Sequence, residues 1–371
     1  MDRLPWKWIC LAAFIAFPFI PGIGAVKGIQ LGPQLVSIFI FGILALGLNV
    51  VVGQAGLLQL GIAAFFAIGA YITGILTVAD FPFQVGFWWA VLASTAGAAL
   101  AGVVLGAPTL RLRGDYLAIV TLGFAEVIKY TFINLEQITS GSRGLNPVPP
   151  PSGLDRVLFP VVAPLDFTSF RPTARLGLGW FPFAPDWTGD YRLFYFLCLG
   201  VLVLVVVLLK NLENSRLGRA LTAIREDELA ASCMGVNTVL VKLITFAIGA
   251  GLAGLAGSLY ATRLQTTAQP TSYDFAVSII TLCFLIVGGL GNCYGVLLGV
   301  LIIRGIDVVL LPILDQIAQE KFKGTQNVFL QFTNWKWMIF GLALVLMMRF
   351  RPEGLLPAAG IKEEMHEGEE P

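Results

Sequence analysis

Charge is what this sequence has least of. Only 13% of its 371 residues are Asp, Glu, Lys or Arg, and the two signs nearly cancel to a net charge of +1, against about a quarter charged in an ordinary soluble domain. There is no basic stripe, so nucleic acid is excluded as a partner. Histidine is almost absent. His366, the single copy, lies in an acidic tail with no ligand-type neighbour, which excludes a histidine-based metal site or catalytic triad. The five cysteines (Cys10, Cys198, Cys233, Cys283 and Cys293) show no C-x-x-C spacing and sit in or beside apolar runs. They read as small apolar packing residues, not as metal ligands or disulfide partners. A phosphate-binding loop is missing as well, because none of the nine lysines is followed by Ser or Thr. No nucleophile, base and metal ligand converge, which argues against an enzyme acting on lipid-linked groups.

What fills the chain instead is apolar. Such residues make up 57% of it, and 41 glycines accompany them. Glycine is tolerated in membrane helices because it permits close backbone approach. Most apolar runs reach the roughly 20 residues that a helix needs to cross a ~30 Å hydrocarbon core. The fold class is therefore all-α, a polytopic membrane helix bundle. About ten spans are expected, at 8–20, 35–52, 57–78, 85–106, 116–133, 191–209, 239–262, 275–289, 293–311 and 335–348. The run at 8–20 follows a basic start, as in a signal peptide, but reads as a first membrane helix shortened by Pro18 and Pro21. Only 53–56 separates the second span from the third, so one of them is expected to be broken or re-entrant and packed inside the protein.

Lysine and arginine in the short loops orient the bundle. With the N-terminus cytoplasmic, Arg3, Lys7, Arg111, Arg113, Lys210, Arg216, Arg219, Arg225, Lys242, Arg349 and Arg351 fall inside. An even span count brings the C-terminus inside too. Residues 1–361 then form one transmembrane domain, with an external Pro- and aromatic-rich loop at 134–190 and a polar cytoplasmic segment at 210–238. The acidic stretch 362–371 reads as a disordered tail.

In the cytoplasmic segment, Ser215 can cap a helix whose Leu217, Leu221 and Ile224 share one face. Glu226, Asp227 and Glu228 gather where a second short helix would begin, favoured by its dipole. Ala230 and Ala231 flatten that helix and Gly235 can end it. Such a helix suits a groove on another protein; an ordinary interfacial loop is the alternative that physics leaves open.

Within the spans, Glu126 and Lys129 are spaced to pair as interfacial, snorkelling groups. Arg304 and Asp307 are spaced to pair internally. Gly249, Ala253 and Gly257, flanked by Ala250 and Gly254, form a small-residue stripe for helix packing. Gln54, Gln59 and Tyr71 surround the suspected break and are candidates for lining a path, being polar at membrane depth.

Glu228-Leu-Ala230-Ala231 followed by Gly235 resembles the E-A-A…G coupling signature of ABC-importer permeases. Four further stretches narrow the resemblance to the branched-chain amino-acid permease subunit, the LivM type. They are Gly47-Leu-Asn-Val-Val-Val-Gly-Gln-Ala-Gly-Leu-Leu, Arg111-Leu-Arg-Gly-Asp-Tyr-Leu-Ala-Ile-Val-Thr-Leu-Gly-Phe-Ala-Glu126, Ile138-Thr-Ser-Gly-Ser-Arg-Gly-Leu145 and Arg349-Phe-Arg-Pro-Glu-Gly-Leu-Leu-Pro357. They run in family order along most of the chain. One departure is Ser140-Gly141-Ser142-Arg143-Gly144, where the family often has Gly-Gly-x-x-Gly.

The resemblance implies a multi-pass inner-membrane permease with no cofactor of its own, ATP and Mg being held by partner chains. Its partners would be a homologous second permease subunit, two ATPase subunits, an external binding protein and membrane lipid. Arg225, Glu226, Asp227, Glu228, Ala230, Ala231 and Gly235 would form the ATPase-coupling segment. Gly141, Ser142 and Gly144 join Gln54, Gln59 and Tyr71 as substrate-pathway candidates. Branched-chain amino acids are the implied substrates, with urea, short amides or other amino acids as alternatives. An ATP-independent channel or carrier would not need the coupling helix.

Overall fold

Chain positions 14, 25–26, 29–78, 80–82, 85–109, 115–149, 191–321, 332–351 and 353–356 are described by the structure, a computed structural model. The expected first span, apart from Phe14, therefore lies outside the described residues, as do most of the loop at 134–190 and the acidic stretch 362–371. A two-residue antiparallel ladder, β1 (Ala25–Val26) with β2 (Ile29–Gln30), leads into helix α1 (Leu31–Asn49). Everything else with regular structure among the described residues is helical. Apolar all round, α1 is buried along almost its whole length, as a helix enclosed by others must be.

The remaining membrane-type helices follow in order. They are α2 (Ile62–Thr77), α3 (Phe87–Thr109), α4 (Asp115–Asn134), then the one-turn α5 (Glu136–Thr139) and α6 (Tyr191–Glu213). The cytoplasmic-type segment gives α7 (Arg216–Glu226) and α8 (Glu228–Cys233). The chain then forms α9 (Thr238–Leu264), α10 (Phe275–Gly288), α11 (Cys293–Gly305), α12 (Leu311–Lys321) and α13 (Lys336–Phe350). A π-turn at Ile306–Leu310 joins α11 to α12, so the ninth expected span runs on to Ala318.

Among the described residues, 7 helical stretches are long and apolar enough to cross a membrane, and Ile62–Thr77 is a shorter apolar helix. Where the expected spans fall on described residues, their boundaries hold to within a few residues except at the end of the ninth and the start of the third. That span was expected from residue 57, but α2 begins only at Ile62. The reason lies in how the break satisfies its backbone. After a π-turn at Val50–Gln54, Leu57 N–H donates to Val51 O (3.1 Å) and Leu60 N–H to Thr121 Oγ1 of α4 (3.1 Å). Ala63 N–H donates to Ser278 Oγ of α10 (3.3 Å). Non-helical backbone at this depth is tolerated because other helices supply the missing partners.

α9 is the axis around which α1, α2 and α3 pack, and its small-residue stripe is what admits them. A Cβ on Gly257 would lie 2.0 Å from Phe66 O, and one on Gly254 would lie 2.3 Å from Ala98 Cβ. On the facing helices, a Cβ on Gly69 would meet Gly254 O at 2.1 Å and one on Gly102 would meet Phe246 O at 2.7 Å. Backbones approach this closely only where side chains are absent. The stripe is thus used for packing within the chain. The Arg304–Asp307 pair also forms as expected. Its guanidinium lies 4.2 Å from the Phe41 ring centre and donates to Ser37 Oγ at 3.3 Å, tying α11 to α1.

Candidate functional site

Two separate polar clusters emerge, at opposite ends of α9. The first gathers at its N-terminal end, around the break between α1 and α2. Ser215 Oγ caps α7 by accepting from Leu217 N–H (3.1 Å) and Gly218 N–H (3.3 Å). Its apolar residues Leu221 and Ile224 join Ala55 of the break, Ala231 of α8 and Val241 of α9 in a small core of their own. Asp227 Oδ1 caps α8, accepting from Leu229 N–H (2.8 Å) and Ala230 N–H (3.1 Å). Gly235 ends it with φ of +85°, a backbone conformation that glycine adopts without Cβ strain.

The carboxylate of Glu228 does not face outward alone. Lys242 of α9, almost fully buried, places Nζ 2.5 Å from Glu228 Oε1. The coupling candidates thus divide in two. Arg225, Glu228 and Ala231 turn toward their own chain, while Glu226, Asp227, Ala230 and Gly235 stand exposed. Ala231 was expected on the flat outer surface with Ala230; one residue on, the helix turns it 100° into the small core instead. The outer surface is completed by two residues that sequence reasoning passed over. Leu229 is 65% exposed and Met234 85% exposed. A signal for them existed: two large apolar side chains beside the cap and the stop of a polar helix pair.

Gln54 lies at this end, and Gln59 follows it in the break before α2. Gln54 Nε2 donates to Glu213 Oε1 at the end of α6 (3.1 Å), and Arg225 Nη1 donates to Gly53 O (3.0 Å). Gln59 is buried, with neither amide atom partnered.

Tyr71 is not beside the break. It sits at the other end, where its hydroxyl donates to Ala268 O (3.2 Å) and its ring stacks on Phe132 of α4, centres 4.2 Å apart. Here the 138–145 loop meets the loop after α9. Leu145 N–H donates to Thr267 Oγ1 (2.8 Å), Thr267 N–H returns a bond to Leu145 O (3.1 Å), and Tyr273 Oη–H donates to Thr267 O (2.6 Å). A Cβ on Gly144 would lie 2.3 Å from Ala268 O, so that glycine, buried like Gly141, lets the two loops touch. Ser142 is exposed. The path candidates therefore do not gather in one place: Gln54 and Gln59 belong to the break, while Tyr71, Gly141, Ser142 and Gly144 belong to the region where the 138–145 loop meets the loop after α9. Gln59 precedes α2 by three residues, and Tyr71 lies nine residues beyond its first residue, a rise of about 14 Å at 1.5 Å per residue.

Glu126 and Lys129 pair as expected, but they are more than a snorkelling couple. Lys129 Nζ also reaches Asp274 Oδ1 (3.2 Å), the residue that caps α10 by accepting from Phe275 N–H (2.7 Å). The triad fastens α4 to α10. Beside it, a shallow depression of about 490 Å³ is lined by Glu126, Val127, Tyr130, Thr131, Asn134 and Leu135. It opens on one face of α4 and includes none of the path candidates. Among the described residues no group of His, Cys, Asp and Glu could hold a metal.

Comparison with known proteins gives a consistent result. The family model for the permease component of branched-chain amino acid transport systems matches residues 33–348. The high-affinity branched-chain amino acid transport system permease protein LivM of Escherichia coli is 37% identical over 94% of this chain and 73% of its own length. LivM of Salmonella typhimurium is 35% identical over the same shares. A probable branched-chain amino acid transport permease protein of Methanocaldococcus jannaschii is 26% identical over 84% of both chains. No solved structure matches the chain.

Proposed function

This chain belongs to the permease-component family of branched-chain amino acid transport systems, and from that premise we propose that it forms one membrane half of an ATP-driven importer for those amino acids. It is a multi-pass inner-membrane protein and a transporter subunit, not itself an enzyme. The observation that carries the importer reading is the exposed apolar tip formed by Leu229, Ala230 and Met234. It stands on a short helix that Asp227, Lys242 and the small core hold rigidly to the bundle. An apolar tip on a rigid mount is what a separate ATPase subunit can grip and push.

On this reading ATP and Mg sit on two partner ATPase chains, a homologous permease completes the membrane part, and an external binding protein delivers the amino acid. The bundle has ten spans with both termini in the cytoplasm. The 210–238 segment is cytoplasmic, the 134–190 loop external, and the break between α1 and α2 lies toward the inside. Glu226, Asp227, Ala230 and Gly235 then border the docking surface, while Arg225, Glu228 and Ala231 mount it. Tyr71, Gly141, Ser142 and Gly144 line the outer part of the substrate path, and Gln54 and Gln59 its inner part. Alternating access requires two arrangements biased by substrate and nucleotide.

The test is uptake by the complete transporter in vesicles. ATP- and binding-protein-dependent accumulation of radiolabelled leucine, isoleucine or valine is expected. Accumulation of urea or an amide in their place would overturn the substrate; accumulation without ATP would overturn the importer.

A further inference from the structure

Buried polar atoms without partners are rare in folded proteins and each demands a physical reason. Among the described residues there are five such side-chain atoms: Asn49 Nδ2, Gln54 Oε1, both amide atoms of Gln59, and Arg304 Nε. All but the last belong to the eleven residues from Asn49 to Gln59, the stretch that also holds the π-turn and the non-helical break. Among the described residues, the break is thus where several hydrogen-bonding groups are left unsatisfied at once. A segment so poised is a candidate two-state element, since a second arrangement can supply the missing partners.

What holds it in the present arrangement comes from the cytoplasmic helices. Arg225 of α7 donates from Nη1 to Gly53 O, a carbonyl inside the π-turn, at 3.0 Å. Its aliphatic stem lies against Gly56, where a Cβ would stand 3.1 Å from Arg225 Cγ. Gly56 also has φ of +68°, so both the space and the backbone call for glycine here. Glu213 Oε1 accepts from Gln54 Nε2 (3.1 Å) and from Cys293 Sγ–H (3.1 Å), fixing the break to α6 and α11. Ala55 is packed in the same small core as Leu221 and Ala231. A rigid path therefore runs from α8 through α7 and the Arg225 guanidinium to Gly53.

We propose that Arg225 is a positioning residue of the transport cycle, which carries movement of the α7–α8 pair to the α1–α2 break through its hydrogen bond to the Gly53 carbonyl. This rests on the reading of α8 as the segment that docks on the ATPase. In that cycle, ATP-driven displacement of α8 drags Gly53 with it, and the amides of Asn49, Gln54 and Gln59 exchange their environment. Arg225 touches neither substrate nor nucleotide. Its effect is on the coupling between them.

The experiment uses the complete transporter in vesicles, with a nitroxide on a cysteine introduced at Leu58, a half-buried residue of the break. Arg225→Met keeps an unbranched stem against Gly56 and removes the guanidinium, and with it the hydrogen bond to Gly53 O; Arg225→Lys restores a donor. With Arg225 present, the nitroxide spectrum is expected to change when ATP is bound. In Arg225→Met that change is lost and uptake falls at least about tenfold, as for one charge-assisted hydrogen bond. Binding-protein-stimulated ATP hydrolysis and subunit assembly persist, and Arg225→Lys recovers part of both uptake and the spectral change. An Arg225→Met complex whose nitroxide still responds to ATP, or which imports at the rate of the parent protein, overturns the proposal. Failure of the parent complex to couple ATP to uptake would instead overturn the importer reading, so the two failures are distinguishable.

Discussion

Lys242 Nζ lies 2.5 Å from Glu228 Oε1, with the lysine buried at the start of α9 and the glutamate half in solvent. This pair is the only ion pair described between α8 and the membrane helices, so it fixes the short helix from below. Deleting one partner of such a pair strands the other, and for a buried ammonium the cost reaches several kcal/mol. Half-exposure of Glu228 reduces it, to about 1–3 kcal/mol. Glu228→Ala is expected to loosen α8, increase proteolytic cleavage within 226–236, and lower uptake. Glu228→Ala combined with Lys242→Met should recover much of the protease resistance, because no buried charge is then left unpaired. A double variant as labile as the single one would show that the ion pair itself is not the tie.

Ala231 and Met234 are three residues apart and are expected to fail differently. Ala231 is enclosed with Leu221 and Ile224, so Ala231→Asp introduces an unpaired charge into the small core and costs about 3 kcal/mol or more. Met234 is exposed, so Met234→Asp should leave the thermal midpoint within about 2 °C while weakening co-purification of the ATPase subunit. Equal loss of stability in both variants, measured by thermal unfolding in detergent, would contradict this division.

The glycine stripe of α9 predicts a contrast that separates packing from propensity. Gly257→Val would force a side chain onto Phe66 O, 2.0 Å from its Cβ, and is expected to destabilise the bundle by at least about 1–3 kcal/mol. Gly200→Ala in α6 meets nothing within 4 Å. It should be neutral or stabilising by about 0.5–1 kcal/mol, the helix preference for Ala over Gly. Thermal midpoints of the purified subunit decide between them.

Thr267 joins the 138–145 loop to the loop after α9, and its hydroxyl is the acceptor for Leu145 N–H at 2.8 Å. Thr267→Val keeps the shape and leaves that buried N–H unpaired, at about 1–3 kcal/mol. Thr267→Ser retains the acceptor and should behave as the parent protein. If the outer cluster lines the path, Thr267→Val also raises the substrate concentration needed for half-maximal uptake. Unchanged stability in Thr267→Val would remove the hydrogen bond from the account.

The membrane class was legible because burial of a helix in lipid or protein demands the same long apolar runs wherever it occurs, and the charge-poor composition left no other reading. The cap at Ser215, the acidic start of α8, the stop at Gly235 and the pairing of Arg304 with Asp307 were legible for a related reason. Each depends on a single residue or on residues no more than three apart, which local geometry brings together. What escaped was set by distant parts of the chain. Nothing near Leu57 foretells that Thr121 and Ser278 will supply partners for a break reaching Ile62. Nothing near Tyr71 indicates that Ala268, far along the chain, draws it away from Gln54 and Gln59. Ala231 and Ala230 are indistinguishable in sequence, and only the packing of α7 against Ala55 decides which is buried.

Cys233 offers a test of orientation and docking together. It is exposed at the end of α8, beside Met234, whereas Cys198, Cys283 and Cys293 are buried. A thiol buried among apolar side chains reacts slowly, and an exposed one reacts at the rate its thiolate fraction allows. A membrane-impermeant maleimide should therefore leave Cys233 untouched in intact cells and modify it in inside-out vesicles. Mass mapping of the peptide that carries Cys233 separates it from Cys10. Adding the ATPase subunits should slow the reaction, because docking on Leu229 and Met234 covers the neighbouring sulfur. Labelling in intact cells would place α8 on the external face and reverse the orientation of the whole bundle. Labelling in vesicles at the same rate with and without the ATPase would leave the orientation standing and remove this helix from the interface.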